Sequence, residues 1–271
     1  MKTLTDAQIQ SAAKVLYEAE QQVIQIEAFT QTYPNMTMDD AYAIQSSWVA
    51  LKKAAGDPPI GYKIGLTSKV MQRAMKIDMP DYGVLLQSMH FEDGSNIPVN
   101  RFTDPRIEVE LAFVLKDRLF GEDLTIEDVL AATDYVTPAL ELISARSYRV
   151  HPQSGYTRTI FDTIADNAAN AGIITGGKKV KPNEVDLRWC GALLKKNSEI
   201  EETGLAAAVL NHPANGVCWI AKRFAKHDVA LEPGQILLAG SFTAPIPVGE
   251  GDHIHADFGK LGSIHCQFIG E

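Results

Sequence analysis

Two repeating runs of apolar residues mark the first part of the chain as helical. Apolar positions recur every three to four residues in one run before Thr37 and in another after it, which is the spacing of one helix face. Thr5 with Gln8, and Thr37 with Asp40, have the spacing of capping boxes at helix N-termini. An Asp-Pro-Pro sequence then breaks the pattern. The sequence therefore predicts an N-terminal helical region over residues 1–57, which is too small for a large core of its own and packs on the rest.

From residue 58 onward the apolar runs become short and are separated by glycine and proline, as is typical of β-strands. The clearest alternation covers residues 106–115, where every odd-numbered side chain is apolar. Further strands are predicted at 61–66, 189–195 and 199–203 and in several pieces of 235–269, with helices after Thr67 or Ser68, after Thr125 and at 213–226. Because strands and helices mix without a regular βαβ order, we predict an α+β fold with a β-rich domain over 58–271.

Composition and charge narrow the choice of partners. The chain has 271 residues and a formal net charge of −9 with histidine neutral, so it repels nucleic acid phosphates and anionic membrane surfaces, and neither is an expected partner. No apolar run approaches the ~20 residues that span a bilayer, and the N-terminus lacks the apolar segment of a signal peptide. A cytoplasmic location is therefore expected. Cys190, Cys218 and Cys266 are too far apart for a disulfide framework or a zinc knuckle.

Familiar catalytic motifs are missing from the sequence. It contains no Gly-x-Gly-x-x-Gly dinucleotide fingerprint, no Walker A motif and no Gly-x-Ser-x-Gly nucleophile elbow. These motifs bind phosphates or position a nucleophilic serine. Their absence disfavours a nucleotide-dependent enzyme and a serine hydrolase.

Three glutamates are the strongest candidates for chemistry. Glu108 and Glu110 share the polar face of the strand predicted at 106–115, with Cα atoms roughly 6.5–7 Å apart. Unpaired carboxylates at that range repel each other unless the face is simply solvated. Glu141 stands alone in an apolar segment, where a glutamate rarely lies without a partner. A metal ion would satisfy all three, and carboxylates without nearby Cys or His favour Mg²⁺ or Mn²⁺ over zinc.

Lys63 and Asp81 are further candidates for site residues. Lys63 lies between Gly61 and Gly65 on a predicted strand, which leaves room for a ligand to approach. Desolvation and a nearby cation would lower the pKa of Lys63, as proton transfer near neutrality requires. The alternative is a lysine that extends to the surface. Asp81, in a Met-Pro-Asp-Tyr-Gly sequence, is either a second site residue or a residue of a turn.

Two segments near the C-terminus carry additional polar groups. The Gly-Ser-Phe-Thr sequence at 240–243 follows a predicted strand and either offers backbone N–H groups and hydroxyls to an anion or simply ends the strand. His253 and His255 share one face of a later strand. They have the spacing of a metal-binding pair, although a partly exposed strand is the simpler explanation.

Seven segments together resemble one known family. They are Lys-Ile-Gly-Leu-Thr-Ser at 63–68, Pro-Asp-Tyr-Gly at 80–83, Arg-Ile-Glu-Val-Glu-Leu-Ala-Phe at 106–113, Asp-Tyr-Val at 134–136 with Glu141, the segment 161–172, Asn-His-Pro-Ala-Asn-Gly at 211–216 and Gly-Ser-Phe-Thr at 240–243. From about residue 5 to the C-terminus, the chain resembles the hydratase/decarboxylase branch of the fumarylacetoacetate hydrolase superfamily.

The resemblance implies a sandwich-like roll of mixed β-sheet with peripheral helices, in which 58–271 is the metal-binding catalytic domain. It implies homo-oligomers, often dimers built into decamers, and a divalent metal that is usually magnesium. The implied metal ligands are Glu108, Glu110 and Glu141. The implied catalytic residues are Lys63 and Asp81. The residues implied beside the small-molecule substrate are Leu66, Gly240, Ser241, Phe242 and Thr243.

The implied reaction is the addition of water to a 2-hydroxy-2,4-dienoate in aromatic catabolism, such as homoprotocatechuate degradation. There 2-oxo-hept-4-ene-1,7-dioate becomes 4-hydroxy-2-oxoheptanedioate. The carbon–carbon hydrolases of the superfamily carry a Glu–His pair in a lid near the metal, and residues 69–81 of this chain contain neither residue type. Sister decarboxylases tend to have Lys-Ile-Glu-Ala-Glu where this chain has Arg-Ile-Glu-Val-Glu at 106–110.

Several alternatives stay open at this point. They are a 2-oxo-3-enedioate decarboxylase, an acylpyruvate hydrolase and a non-catalytic partner of a sister decarboxylase. The far end of the substrate is also open, because a second carboxylate there requires a basic side chain in the pocket. Arg106, Lys69 and Arg73 are the candidates for that side chain.

Overall fold

A computed structural model describes residues 1–68, 72–73 and 77–270 of the chain. Its α-helices are α1 (Asp6–Gln22), α2 (Phe29–Thr32), α3 (Met38–Ala54), α4 (Ile126–Ala132), α5 (Ile160–Ala165) and α6 (Ala214–Ala225). Capping boxes at Thr5, Thr37 and Thr125 confirm the predicted starts of α1, α3 and α4. The helix that the sequence predicts after Thr67 or Ser68 falls partly on residues outside the described ranges. No helix in the described ranges is long and apolar enough to cross a membrane.

The strands form two mixed sheets. They are β1 (Pro59–Gly65), β2 (Asp81–Leu86), β3 (His90–Glu92), β4 (Asn96–Pro98), β5 (Arg106–Leu115), β6 (Thr133–Ile143), β7 (Asn170–Thr175), β8 (Gly191–Lys196), β9 (Glu199–Leu205), β10 (Ile236–Leu238), β11 (Ile246–Pro247), β12 (His253–Asp257) and β13 (Ser263–Ile269). The larger sheet has the order β2-β1-β10-β5-β6-β7-β3, with β11 also paired to β5. The smaller sheet has the order β4-β13-β12-β8-β9.

The main hydrophobic core lies between these two sheets. Phe113 of β5 and Leu140 of β6 belong to the same buried cluster as Ile254 of β12 and Phe268 of β13. The odd-numbered residues of β5 are the buried apolar face, as their alternation predicted. A core packed between two mixed sheets, with helices outside it, confirms the predicted α+β fold rich in β-structure.

The N-terminal helices pack on the larger sheet through a second apolar cluster. Leu16 of α1 and Trp48 of α3 are buried together with Val84 and Leu86 of β2 and Ile164 of α5. The helices therefore share a core with later parts of the chain, as their small size predicted. Their packing covers the outer side of the edge strand β2 and fixes the position of the strand that begins at Asp81.

The amide of Asn167 closes the larger sheet into a roll. Its Oδ1 accepts a 2.7 Å hydrogen bond from the N–H of Val84, and its Nδ2 donates a 2.9 Å bond to the Val84 carbonyl. The Asn167 side chain thus takes the place of a neighbouring strand at Val84. It links β2 to the segment that precedes β7. Asn167, Ala168 and Ala169 all have positive φ, between 51° and 59°, which is unfavourable for residues other than glycine. The tight turn is maintained because the amide satisfies two backbone groups of a buried strand.

Candidate metal centre

The register of the larger sheet brings five ionisable side chains to one face. Lys63 pairs with Leu238 of β10, which in turn pairs with Ala112 of β5. Cross-strand partners point to the same side of a sheet, and Ala112 shares its side with the even-numbered glutamates of β5. Asp81 pairs with Gly65, two residues after Lys63, so it points to this side as well. The five side chains are Lys63, Asp81, Glu108, Glu110 and Glu141.

The three glutamates converge on one point. Glu108 lies directly opposite Glu141 in the pairing of β5 with β6, and Glu110 is two residues farther along β5. One carboxylate oxygen from each lies within 4.8 Å of the other two. Glu110 and Glu141 are each only 1% exposed, so the alternative of a solvated face is wrong for this part of β5.

Burial and mutual repulsion make this carboxylate cluster costly without a cation. Burial, followed by the charge of Glu141, raises the pKa of Glu108 from 4.5 to about 8. Burial, Glu141 and Glu108 raise the pKa of Glu110 well above 4.5. Oε1 of Glu110 is buried and has no hydrogen-bond partner in the described part of the chain. Three hard oxygen ligands, one of them unpartnered, fit a divalent cation of the Mg²⁺ or Mn²⁺ type.

Lys63 lies inside the site and contacts Glu141. Its Nζ is 3.3 Å from Oε1 of Glu141, and the residue is 5% exposed, so the alternative of a lysine that extends to the surface is wrong. Burial lowers the pKa of Lys63, but the charges of Glu141 and Asp81 oppose burial and raise it above its ordinary value. The predicted lowering is therefore wrong for the protein without metal, because facing carboxylates outweigh desolvation.

Asp81 is buried at the start of a strand, so the alternative of a turn residue is wrong. It begins β2, is 2% exposed, and its Oδ1 has no hydrogen-bond partner within the described ranges. Burial raises the pKa of Asp81, and the charge of Lys63 opposes that rise. A Cβ at Gly65 would overlap the Asp81 carboxylate and lie 3.2 Å from Nζ of Lys63. Gly65 therefore leaves the space that the lysine and aspartate side chains occupy.

The Gly240–Thr243 turn borders the glutamates, but most of its donors are already in use. The N–H of Gly240 donates a 2.8 Å bond to Oε2 of Glu110. The N–H of Phe242 donates to the Val109 carbonyl, and the N–H of Thr243 donates to Oγ of Ser241. These three N–H groups are therefore not free to bind an anion, as one interpretation of the sequence expected. The turn instead orients a carboxylate, and its contact with substrate stays a prediction.

Leu66 has a strained backbone beside this turn. Its φ is 54°, in the left-handed region that non-glycine residues rarely adopt, and such strain often occurs at functional sites. Its carbonyl accepts a 2.8 Å bond from Nε2 of Gln72. A Cβ at Gly240, where φ is 125°, would overlap Oγ1 of Thr67. Residues 66–67 therefore lie directly against the Gly240 turn.

The remaining candidates lie elsewhere or outside the description. His253 and His255 are exposed on β12, and in the described residues the carboxylate triad is the one convergent group of three metal-ligand side chains. Arg73 is exposed, and Lys69 lies outside the described ranges. All three cysteines are buried free thiols, in agreement with the absence of a disulfide framework.

Asn170 is a site residue that sequence reasoning missed. Its Nδ2 donates a 2.8 Å hydrogen bond to Oε1 of Glu141, and the residue is fully buried. Both terminal nitrogens of Arg146 donate to the Asn170 carbonyl at 3.2 Å, while Arg146 forms a buried ion pair with Asp166. The available signal was a pair of asparagines in an alanine-rich stretch of the segment 161–172.

Relatives of known activity cover nearly the whole chain. No family model matches the sequence. The chain is 57% identical over 257 residues to a 2-oxo-hept-4-ene-1,7-dioate hydratase from Escherichia coli, with 95% of this chain and 96% of that protein aligned. It is 35% identical to a 2-keto-4-pentenoate hydratase from Paraburkholderia xenovorans, over 98% of this chain and 96% of that protein.

A solved structure has the same fold throughout. The 4-oxalocrotonate decarboxylase from Pseudomonas putida G7, complexed with magnesium and adipate, superposes with a TM-score of 0.94 at 35% identity. The match covers 99% of this chain and 100% of the decarboxylase. More distant solved structures, at 12–15% identity and TM-scores of 0.57–0.60, share the fold alone.

Proposed function

The chain belongs to the hydratase/decarboxylase branch of the fumarylacetoacetate hydrolase superfamily, and from that membership we propose that it is a hydro-lyase acting on 2-oxo-hept-4-ene-1,7-dioate. The product is 4-hydroxy-2-oxoheptanedioate. The 57% identity to a hydratase of that name, over 95% of the chain, carries the proposal. The cluster of three carboxylates, a lysine and an aspartate on one buried sheet face supplies groups suited to this chemistry.

A divalent cation is the cofactor, and we propose Mg²⁺ bound by Glu108, Glu110 and Glu141. The support is the convergence of three buried carboxylates and the unpartnered Oε1 of Glu110. When bound, such a cation supplies a Lewis acid that stabilises negative charge on the oxygen of a 2-oxo acid. Gly240 and Asn170 each donate a hydrogen bond to one of these carboxylates, so they fix its orientation before the cation binds.

Lys63 and Asp81 are the proposed groups for proton transfer. The side chain of Lys63 lies 3.3 Å from Glu141, and we assign its ammonium to donate a proton or to stabilise enolate charge. Burial raises the pKa of Asp81, which makes its carboxylate a better proton acceptor for the attacking water. Because water adds only after the dienol has become a conjugated ketone, a donor and an acceptor on one side of the pocket suit both steps.

Substrate contacts, assembly and location extend the proposal. The turn of Gly240, Ser241, Phe242 and Thr243 borders Glu110. Thr67, the residue after Leu66, lies against Gly240, and we assign the small-molecule substrate to that side. The active form is a dimer-based homo-oligomer in the cytoplasm. The division into a helical region over 1–57 and a catalytic domain over 58–271 remains a prediction. The two parts pack together through one shared apolar cluster.

An ultraviolet assay tests the proposed activity. The purified chain, stripped of metal and then supplied with Mg²⁺, is mixed with 2-hydroxyhepta-2,4-diene-1,7-dioate. Loss of the dienol absorbance with formation of a 4-hydroxy-2-oxo acid is the expected result, and it should require the cation. The second candidate is a 2-oxo-3-enedioate decarboxylase, because the superposed structure with a TM-score of 0.94 is a decarboxylase. Release of CO₂ from a 2-oxo-3-enedioate without hydration would establish that alternative and contradict the proposed one.

A further inference from the structure

Arg106 begins the strand that carries two of the three glutamates. It precedes Glu108 by two residues on β5 and pairs with Ile143 of β6, in the row next to the Glu108–Glu141 pair. Its side chain therefore points to the same face as the glutamates. The two Cα atoms are roughly 7 Å apart along a strand of ordinary geometry. The Arg106 guanidinium is directed to Asp104, with Nη2 3.6 Å from Oδ2, so it lies at the Arg106 end of the strand that carries Glu108 and Glu110.

The charge around Arg106 is not balanced. Its Nη2 is 3.6 Å from Oδ2 of Asp104, and Nε of Arg149 is 3.8 Å from the same oxygen. Within the described ranges, Asp104 is the one carboxylate within 4.0 Å of either guanidinium. Burial and the charge of Arg106 lower the pKa of Arg149. Two cations sharing one carboxylate leave an excess of positive charge that a second carboxylate would neutralise.

A further observation at this place indicates a ligand. Nε of Arg106 is buried and has no hydrogen-bond partner among the described residues, and a buried donor without a partner is unfavourable. Arg106 itself is partly open, with 29% of its side chain exposed, so a ligand can enter from this end.

The opposite end of the same sheet face is closed and apolar. Leu85, Ala112, Ala139 and Leu238 form a cluster there, and each has 0% exposure. A carboxylate placed among these side chains would lose its hydration without gaining a partner. Along β5, a second charged end of a substrate bound at the glutamates is therefore more favourable on the Arg106 side than on this apolar side.

We propose that Arg106, together with Arg149, forms a subsite for the second carboxylate of a dicarboxylate substrate. This subsite rests on the proposed function, because the 2-oxo acid end must lie at the metal ligands. In a seven-carbon dienoate, five carbon–carbon bonds separate the 2-oxo carbon from the second carboxylate carbon. The planar guanidinium of Arg106 binds a carboxylate through two parallel hydrogen bonds. A five-carbon monocarboxylate has no group that reaches this subsite.

The test compares two substrates across matched arginine variants. For each protein with Mg²⁺, kcat/KM is measured for 2-hydroxyhepta-2,4-diene-1,7-dioate and for 2-hydroxypenta-2,4-dienoate. Arg106→Met should lower the ratio of the two values about tenfold to hundredfold, as expected for a charged hydrogen-bonded pair. Arg149→Met should lower it less, and Arg106→Lys should restore part of it. Arg118→Met is the control, because Arg118 lies just beyond the other end of β5 and pairs with Glu232 on the surface.

A binding measurement makes the test independent of turnover. Adipate is titrated into the Mg²⁺-loaded protein by calorimetry, with hexanoate as the ligand that lacks a second carboxylate. Adipate should bind more weakly to Arg106→Met and Arg149→Met than to the wild type, while hexanoate should not distinguish the three proteins. An unchanged substrate ratio and unchanged adipate affinity in both variants would overturn the subsite and leave the hydratase proposal intact. If the wild type hydrates neither dienoate, the hydratase proposal fails and the adipate titration alone decides the subsite.

Discussion

The amide of Asn170 donates a 2.8 Å hydrogen bond to Oε1 of Glu141, the same oxygen that lies 3.3 Å from Nζ of Lys63. The amide of Asn170 and the ammonium of Lys63 therefore converge on one carboxylate oxygen of Glu141. Behind Asn170, the Arg146–Asp166 ion pair fixes the backbone through bonds from Arg146 to the Asn170 carbonyl. The orientation of a proposed metal ligand therefore depends on a buried polar network that does not contact the cation.

Asn170→Ala should weaken binding of the divalent cation. Without the amide, Glu141 loses the donor that orients it, and losses of about tenfold or more are typical for such supporting partners. Titration of the metal-free variant with Mg²⁺ in a calorimeter measures the change. Asn197→Ala is the matched control, because Asn197 is exposed in the β8–β9 hairpin and bonds Asp252. Equal Mg²⁺ affinity in wild type and Asn170→Ala would exclude an orienting role for Asn170.

Binding of the cation should release protons and strengthen as pH rises. In the protein without metal, the pKa of Glu108 is about 8 and that of Glu110 is well above 4.5. Below about pH 8 the Glu108 carboxyl holds a proton that a cation must displace, and the raised pKa of Glu110 acts in the same direction. The apparent Mg²⁺ affinity should therefore increase as pH rises toward 8. Calorimetry in two buffers of different ionisation enthalpy counts the protons released at pH 7. A binding enthalpy independent of the buffer would contradict this expectation.

The raised pKa of Glu108 also determines how the free energy of unfolding of the metal-free protein depends on pH. A carboxyl whose pKa rises from 4.5 to about 8 on folding keeps its proton more tightly in the folded state. Ionisation therefore opposes folding, and the free energy of unfolding should fall as pH rises through the window from about 4.5 to about 8. Saturating Mg²⁺ should remove this dependence, because the cation binds the ionised form. Urea unfolding curves with and without Mg²⁺ across that pH window provide the comparison.

The alternation of apolar residues along β5 was enough to predict its buried face, and so the shared face of Glu108 and Glu110. The contacts of Asn170 and Asn167 had no such signal. Asn167 bonds Val84 across 83 positions of sequence, and only the closure of the sheet into a roll brings them together. The predicted lowering of the Lys63 pKa assumed a nearby cation. Without the metal, the carboxylates that the register places around Lys63 raise its pKa instead.

Asn167→Ala should destabilise the fold without a specific effect on the cation. The substitution leaves the N–H and the carbonyl of Val84, both buried, without their amide partner. Two unsatisfied backbone groups cost about 2–4 kcal/mol of the free energy of unfolding. Urea unfolding of the Mg²⁺-loaded protein measures this loss, again with Asn197→Ala as control. A loss below about 0.5 kcal/mol, the range of ordinary surface substitutions, would show that the Asn167 bridge does not stabilise the roll.

Lys63→Met should abolish most of the turnover while the cation still binds. The ammonium contacts Glu141 at 3.3 Å, so its removal takes a positive charge away from a metal ligand and should not weaken Mg²⁺ binding. Loss of a proton donor typically lowers kcat by about 10²–10⁴-fold. The two measurements are kcat in the ultraviolet assay and Mg²⁺ affinity by calorimetry. Near wild-type kcat with normal Mg²⁺ affinity would rule out proton transfer by Lys63.

Gly65→Ala tests whether the positions of Lys63 and Asp81 matter for turnover. The new Cβ would overlap the Asp81 carboxylate and lie 3.2 Å from Nζ of Lys63, so both groups must move apart. A displacement of about 1 Å in such groups costs up to about a hundredfold in rate, whereas Mg²⁺ affinity should change little because no glutamate is touched. Gly249→Ala is the control, since a Cβ there comes no closer than 3.9 Å to Asp252. If Gly65→Ala keeps full kcat with an undisturbed fold, the exact positions of Lys63 and Asp81 are not required for hydration.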